Sequence, residues 1–206
     1  MGGIESMTDM QLLLKIGVPL AATVILAIAL FKVLRGYFSK NNHARLIKKI
    51  SKRAIRNVII PDAVEGSSFI DWVILTPKGI LVLNIKSYRG MIFASENIHQ
   101  WTQVVNKRSY TFKNPLPQLE LDVVTIKSFI PGAPVKGYVV FDYDSVFPKG
   151  KPAKVTTINE IKQNIQLFSE GEISEELNEY WNKLKETLKQ NEKEGYSNSH
   201  RIENSV

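Results

Sequence analysis

Two apolar runs rich in β-branched and aromatic residues, Phe69 to Leu75 and Ile80 to Ile85, flank Thr76-Pro77-Lys78-Gly79. Proline fixes φ for a turn and glycine closes it, so the stretch reads as a β-hairpin. Setting Leu75 against Ile80 makes every further cross-strand pair sum to the same number. That register puts Asp71 opposite Asn84, with Cβ atoms roughly 5 Å apart. Lys86 falls on the face of Asn84, because side chains alternate along a strand. A carboxylate, an amide and an ammonium are thus expected on one face of a hairpin whose other side chains are nearly all apolar.

The amino terminus carries a second strong signal. Ile16 to Phe31 is uncharged and mostly apolar, and adding Leu12 to Leu14 and Val33-Leu34 around snorkelling Lys15 and Lys32 gives a stretch long enough for a hydrocarbon core of ~30 Å. The reading is a transmembrane helix over residues 12–34, preceded by a short extracytoplasmic segment, 1–11. Pro19 is tolerable inside a membrane span. A cleaved signal peptide, suggested by Ala27-Ile28-Ala29, and a buried core helix are the alternatives.

From Lys32 to Arg56 there are nine basic residues and no acidic ones. Removing those nine from the chain's net charge of +7 leaves −2, so the basic character belongs to the juxtamembrane segment. The positive-inside rule places the following domain in the cytoplasm of a single-pass inner or plasma membrane protein. An anionic lipid surface is the first partner expected for this segment, and a nucleic-acid face built from it is the second.

Cysteine is absent, which excludes a disulfide framework and thiolate metal sites. His43, His99 and His200 lack ligand spacing, and no Ser-His-Asp arrangement is supported.

Past the span, Asn42 to Arg56 has Leu46, Ile47, Ile50 and Ile55 near helical spacing and reads as a basic juxtamembrane helix within residues 35–56. Asn57 to Ile60 reads as a short strand, and Pro61-Asp62 as the start of a loop. After the central hairpin come a bend at Gly90, a strand Met91 to Phe93, and a second hairpin around Asn106-Lys107-Arg108-Ser109. Lys107, Arg108 and Lys113 are candidate phosphate contacts or solvated turn charges. Trp101 is a candidate base-stacking ring or a core residue. Asn114-Pro115-Leu116-Pro117 starts a helix with Leu119, Val123, Ile126 and Ile130 on one stripe and a stop at Pro131-Gly132. Val135 to Phe141 has the continuous apolar character of a buried central or parallel strand, ending in a polar exit at Asp142-Tyr143-Asp144. Ala153 to Val155 is a short strand, Thr157 to Glu160 a capping box opening a helix to Phe168, and Glu175 to Gln190 a last helix striped by Leu177, Trp181, Leu184 and Leu188. The domain thus spans 57–190, followed by a polar tail, 191–206, expected to be disordered.

Asp71 before a strand, Pro77-Lys78-Gly79-Ile80, Leu83-Asn84-Ile85-Lys86-Ser87-Tyr88-Arg89-Gly90, Trp101, and Asn114-Pro115-Leu116-Pro117-Gln118 form a set. In that set the region from Phe69 to Glu160 resembles the nuclease-related domain family, which has a restriction-endonuclease-like fold. The resemblance implies an α/β domain with a mixed central sheet flanked by helices, and a site at which two carboxylates hold Mg²⁺ while a lysine orients the attacking water. It implies Asp71 and Asn84 as metal ligands, Lys86 at the water, and Gln118 projecting toward the metal, although a surface glutamine is an equal reading of the residue alone. The family's Glu-x-Lys triplet is here Asn84-Ile85-Lys86, so one ligand has lost its charge. A glutamate on the family's first domain helix has no match, since Asn41 to Arg56 contains no acid; Asp62 and Glu65 are the nearest substitutes.

Two functions follow from the resemblance. One is a membrane-anchored, Mg²⁺-dependent phosphodiesterase acting on DNA. The other is a catalytically inactive domain that binds nucleic acid or protein at the membrane. On sequence grounds, Asn84→Glu is expected to raise Mg²⁺ affinity by restoring an anionic oxygen opposite Asp71.

Overall fold

A computed structural model describes residues 23, 25–31, 43–62 and 66–203. The chain divides into two compact units, Met1–Arg45 and Leu46–Val206. In the first, residues 25–31 are helical, with Ile25, Leu26, Ile28, Leu30 and Phe31 exposed. Among the described residues no helix is long and apolar enough to cross a membrane. The transmembrane helix expected over 12–34 is therefore not found, and most of that stretch lies outside the described residues.

The second unit is a mixed α/β domain. Its main sheet has five strands in the order β1-β2-β3-β7-β9. These are β1 (Ala54–Asp62), β2 (Gly66–Thr76), β3 (Gly79–Lys86), β7 (Val135–Phe141) and β9 (Val155–Thr157). A second sheet of four strands has the order β6-β5-β4-β8. Its members are β4 (Gly90–Phe93), β5 (Gln100–Val105), β6 (Arg108–Lys113) and β8 (Ser145–Val146). Helix α1 covers 43–50, its residues from Leu46 on belonging to this unit, and the unit's other helices are α2 (Leu116–Phe129), α3 (Ile158–Gln163), α4 (Gln166–Ser169) and α5 (Glu175–Glu203).

The central hairpin has the expected register: β2 and β3 are antiparallel with Leu75 opposite Ile80 and Trp72 opposite Leu83. Gly79 holds φ at +120°, and a Cβ there would lie 2.2 Å from the Pro134 carbonyl oxygen, so the turn requires glycine. Val135 to Phe141 pairs in parallel with β3 on one side and β9 on the other, which explains its unbroken apolar run. One sheet face packs Val73, Leu75, Ile80, Val82 and Val139 against Leu119 and Ile126 of α2 and Leu177, Trp181, Leu184 and Leu188 of α5. Ile74, Leu81 and Leu83 alternate to the other face and are also buried, as are Leu46, Ile47 and Ile50 of α1.

Several boundaries differ from expectation. Helix α1 ends at residue 50, and β1 begins at Ala54, so Ile55 belongs to a strand. Asp62 is the last residue of β1 and not part of a loop, while Glu65 lies outside the described residues. The helix expected to reach Phe168 breaks after Gln163, where Asn164 caps α3 through its backbone N–H on the Glu160 carbonyl. Helix α5 continues to Glu203, past Gln190 and into the segment expected to be disordered. The capping box is formed as expected: Thr157 accepts from the Glu160 amide, and the Glu160 carboxylate accepts from the Thr157 amide.

Trp101 is a core residue, fully buried, with its indole N–H on the Ser95 carbonyl at 2.9 Å. Its ring packs with Phe112 and Phe141, and Tyr88 stacks on Phe112 at 4.1 Å between centroids. This aromatic cluster joins the two sheets.

Candidate functional site

The site begins with an irregularity shared by two strands. On β2, Ile70 and Val73 both enter the same core cluster although they are three residues apart, and on β1 Ile55 packs against the core that contains Val58. Side chains that alternate strictly would face opposite ways. Both strands therefore slip by one position at the same level. Pairing runs from Arg56 opposite Trp72 to Val58 opposite Ile70 and omits Asn57 and Asp71. Asn57 absorbs the slip with φ of +54°, a left-handed conformation that asparagine tolerates. Arg56 lies over the Trp72 ring beside it.

The consequence falls on Asp71. The β2–β3 ladder ends at Trp72–Leu83, one step short of the expected Asp71–Asn84 pair. Continuing the register would set Ile70 against Ile85. Instead the Asp71 carboxylate accepts from the Ile85 backbone N–H at 2.7 Å, so a side chain takes the place of a strand carbonyl. The strands open into a fork at this point, while β3 remains paired to β7 through Lys86.

Helix α2 fills the fork from below. Asn114 latches its start: its amide donates to the Ile98 and Glu96 carbonyls at 2.9 and 3.2 Å, and its Oδ1 accepts from the Leu116 N–H at 2.9 Å. Gly137 on β7 lets the helix approach closely, since a Cβ there would lie 2.5 Å from Val123 Cγ2 and 3.0 Å from Leu119 Cδ1. Gln118 and Asp122, four residues apart, share one helix face. Asp122 is 0% exposed. Its Oδ1 accepts from Ser68 Oγ at 2.8 Å and Gln118 Nε2 at 3.1 Å, and its Oδ2 accepts from Asn84 Nδ2 at 2.7 Å. Gln118 Nε2 also reaches Ser68 Oγ at 2.9 Å.

Asp122 is thus a buried carboxylate with three donors, which is what a charge removed from water requires. The arrangement also fixes the orientation of Asn84, because turning its amide over would press Oδ1 against the carboxylate. Asn84 Oδ1 is left buried without a hydrogen-bond partner.

Of the four expected site residues, Asn84 and Gln118 meet, through Asp122. Asp71 is anchored to the β3 backbone instead. Lys86 is half-buried on the same strand, and its ammonium has no hydrogen bond or ion pair to the described residues. The sequence reading missed Asp122 and Ser68. The available signal was an acid within the apolar stripe of α2, between Leu119 and Ile126.

Mg²⁺ asks for near-octahedral oxygen ligands, usually including one or two free carboxylates. Here both oxygens of Asp122 are taken, one oxygen of Asp71 is committed to Ile85, and Asn84 Oδ1 is sealed from solvent. Among the described residues no group of three or more His, Asp or Glu is placed to hold a metal. The donor set does not fit Mg²⁺ in this arrangement.

The family model described as nuclease-related domain matches residues 35–142, just over half of the chain. That range holds β1 to β7 and α2, and with them Ser68, Asp71, Asn84, Lys86, Gln118 and Asp122. An uncharacterized protein of Bacillus anthracis is 27% identical over 77 residues, which is 36% of this chain and 36% of that protein. The chain therefore spans about a third of the length of that relative. No solved structure matches the chain. The match over β1 to β7, with the fork within it, places this chain in the nuclease-related domain family.

Proposed function

We propose that this chain is a nuclease-related domain that binds the phosphodiester backbone of nucleic acid without efficient hydrolysis, on a restriction-endonuclease-like core held at a membrane by its amino-terminal apolar segment. The observation that carries this reading is the hydrogen bond from Asn84 to Asp122. In an active site of this kind the residue at position 84 would offer a charged oxygen to a metal ion. Here it offers an N–H to a carboxylate instead. A hydrolytic centre needs anionic ligands that face solvent, and the fully buried Asp122 carboxylate is spent on holding α2 to the sheet.

A second reading, Mg²⁺-dependent cleavage of DNA with Asp71 and Asn84 as ligands and Lys86 at the water, draws on the unpartnered Asn84 Oδ1. A buried oxygen without a donor is costly by about 1–3 kcal/mol, and a cation reached by opening the fork would relieve it. Calorimetric titration with Mg²⁺, run beside a plasmid-nicking assay on the parent and Asp71→Ala, separates the two. The proposed reading expects no Asp71-dependent heat at millimolar Mg²⁺ and no nicking. Heat and nicking that both vanish in Asp71→Ala would establish the second reading in its place. Retention of the chain in membranes after carbonate extraction is the expected result for the anchor. Release would remove it.

A further inference from the structure

The second sheet carries a feature that the fork does not use. Between Ser87 and Lys113 the chain has four basic residues, Arg89, Lys107, Arg108 and Lys113, and one acid, Glu96. Arg89 and Arg108 line one depression of about 610 Å³ together with Gln103, Val105, Asn106 and Tyr110, and no carboxylate lines it. Neither arginine has an ion-pair or hydrogen-bond partner for its guanidinium among the described residues. The Asp144 carbonyl accepts from the Gly90 N–H at 2.7 Å, tying the chain beside Arg89 to the turn before β8.

The depression is held in shape by the backbone. Strands β5 and β6 pair with Gln103 opposite Tyr110 and Val105 opposite Arg108. Asn106 and Lys107 close the hairpin with φ of +51° and +63°, as a tight two-residue turn requires. Gln103 Nε2 donates to the Arg89 carbonyl at 2.8 Å. Gly90 sits so close to β5 that a Cβ would lie 2.4 Å from the Val104 carbonyl oxygen, which fixes the chain next to Arg89. Two arginines therefore project from a fixed backbone beside an exposed tyrosine ring.

We infer that this depression, walled by Arg89 and Arg108, is a binding site for the phosphodiester backbone of nucleic acid. A guanidinium matches a phosphate with two parallel N–H bonds, and a cleft of a few hundred Å³ holds a nucleotide-sized group. Tyr110, 48% exposed, offers a face on which a base or sugar can rest. A flat lipid surface would meet lysines on a convex face better than two arginines within a hollow. The inference rests on the nucleic-acid-binding reading above and assigns it a location away from the fork.

The test uses the full chain in detergent micelles with EDTA present, so that no metal enters. Binding of a labelled oligonucleotide, single-stranded and duplex, is measured against salt for the parent, Arg89→Gln/Arg108→Gln, and the charge-matched control Lys48→Gln/Lys49→Gln on exposed positions of α1. The arginine pair is expected to lower affinity at least about tenfold and to reduce the slope of log K on log salt by about two, since each phosphate contact contributes about 0.9. The control is expected to leave the slope unchanged. Equal losses in both double variants would reduce the effect to overall charge and overturn the inference. So would an unchanged slope in the arginine variant, or loss only of its co-sedimentation with phosphatidylserine vesicles. A parent that binds no oligonucleotide in a salt-dependent way would remove the functional reading and the inference together.

Discussion

Asn84 donates a 2.7 Å hydrogen bond to Asp122, joining β3 to α2 at a point where both residues are buried. The pair is asymmetric: the Asn84 amide donates and the Asp122 carboxyl oxygen accepts. This changes what a substitution at position 84 should do. Asn84→Asp, or the longer Glu, sets a second carboxylate against Asp122 and is expected to destabilise the domain by about 3 kcal/mol, since it replaces a charge-assisted bond with buried repulsion. The swap Asn84→Asp/Asp122→Asn restores one amide and one carboxylate and should recover most of that loss, with a coupling energy of about 1–3 kcal/mol. Urea denaturation of the four proteins gives the cycle. Additive losses would show that the two side chains act independently. The gain in Mg²⁺ affinity expected from Asn84→Glu on sequence grounds is now expected only with Asp122→Asn in the same chain.

Asp71 has a backbone task that any ligand role would have to share. Asp71→Ala leaves the Ile85 N–H without its acceptor and is expected to cost about 1–2 kcal/mol, whereas Asp71→Asn keeps an oxygen in reach and should cost less. Amide hydrogen exchange reads this directly. The Ile85 amide should exchange about tenfold faster in the alanine variant, while amides in the remainder of β3 hold their rates. A uniform acceleration across β3 would mean that Asp71 supports the sheet in some other way.

Gly137 governs how near α2 comes to the sheet, and thereby the bond between Asp122 and Asn84. Gly137→Ala drives a methyl group into Val123 and Leu119, a mismatch expected to cost about 1–3 kcal/mol. Val123→Ala in the same chain removes the nearer obstacle and should return part of the loss. If the single variant melts with the parent, the helix has room to withdraw.

The capping box gives a pH signature. Burial pushes the Glu160 carboxyl up, but hydrogen bonds from Lys151, Thr156 and the Thr157 amide, with the Lys151 charge, outweigh it and hold the group below its ordinary 4.5. A carboxyl lowered on folding contributes stability that is full above its ordinary value and fades as the pH falls through the lowered one. Glu160→Gln should therefore trail the parent by about a few tenths of a kcal/mol at neutral pH, since the partly exposed pair is screened by solvent, and draw level in strong acid. Thermal melts from about pH 7 to pH 3 would show the gap close. A gap independent of pH would mean that the charge plays no part in the cap.

Much of this was legible from residue order alone. The hairpin register followed from Pro77 and Gly79, and the parallel setting of β7 from its unbroken apolar run, because local turn chemistry and two-sided burial leave plain marks. The fork did not, because its cause lies in a coordinated slip of two strands at Asn57 and Asp71, and neither residue breaks the apolar pattern around it enough to announce a change of face. Asp122 was missed for a related reason. An acid on a helix reads as solvated unless its place in the stripe is weighed, and what holds it lies on strands distant in sequence, at Ser68 and Asn84.

The parallel pairing of β3 with β7 also bears on how the molecule assembles. Strands β4, β5 and β6 and helix α2 all lie between the two partners in the chain, so Ile80 cannot meet Val135 until that whole excursion has folded back. The β2–β3 hairpin and the β5–β6 hairpin are local and inexpensive to close, whereas joining β3 to β7 confines a long loop. The fork depends on this late step, since Asn84 is positioned by β7 on one side and by α2 from beneath. Time spent before it is time in which two ready hairpins present open edges, and kinetic control of folding would fall on the nascent chain at that stage.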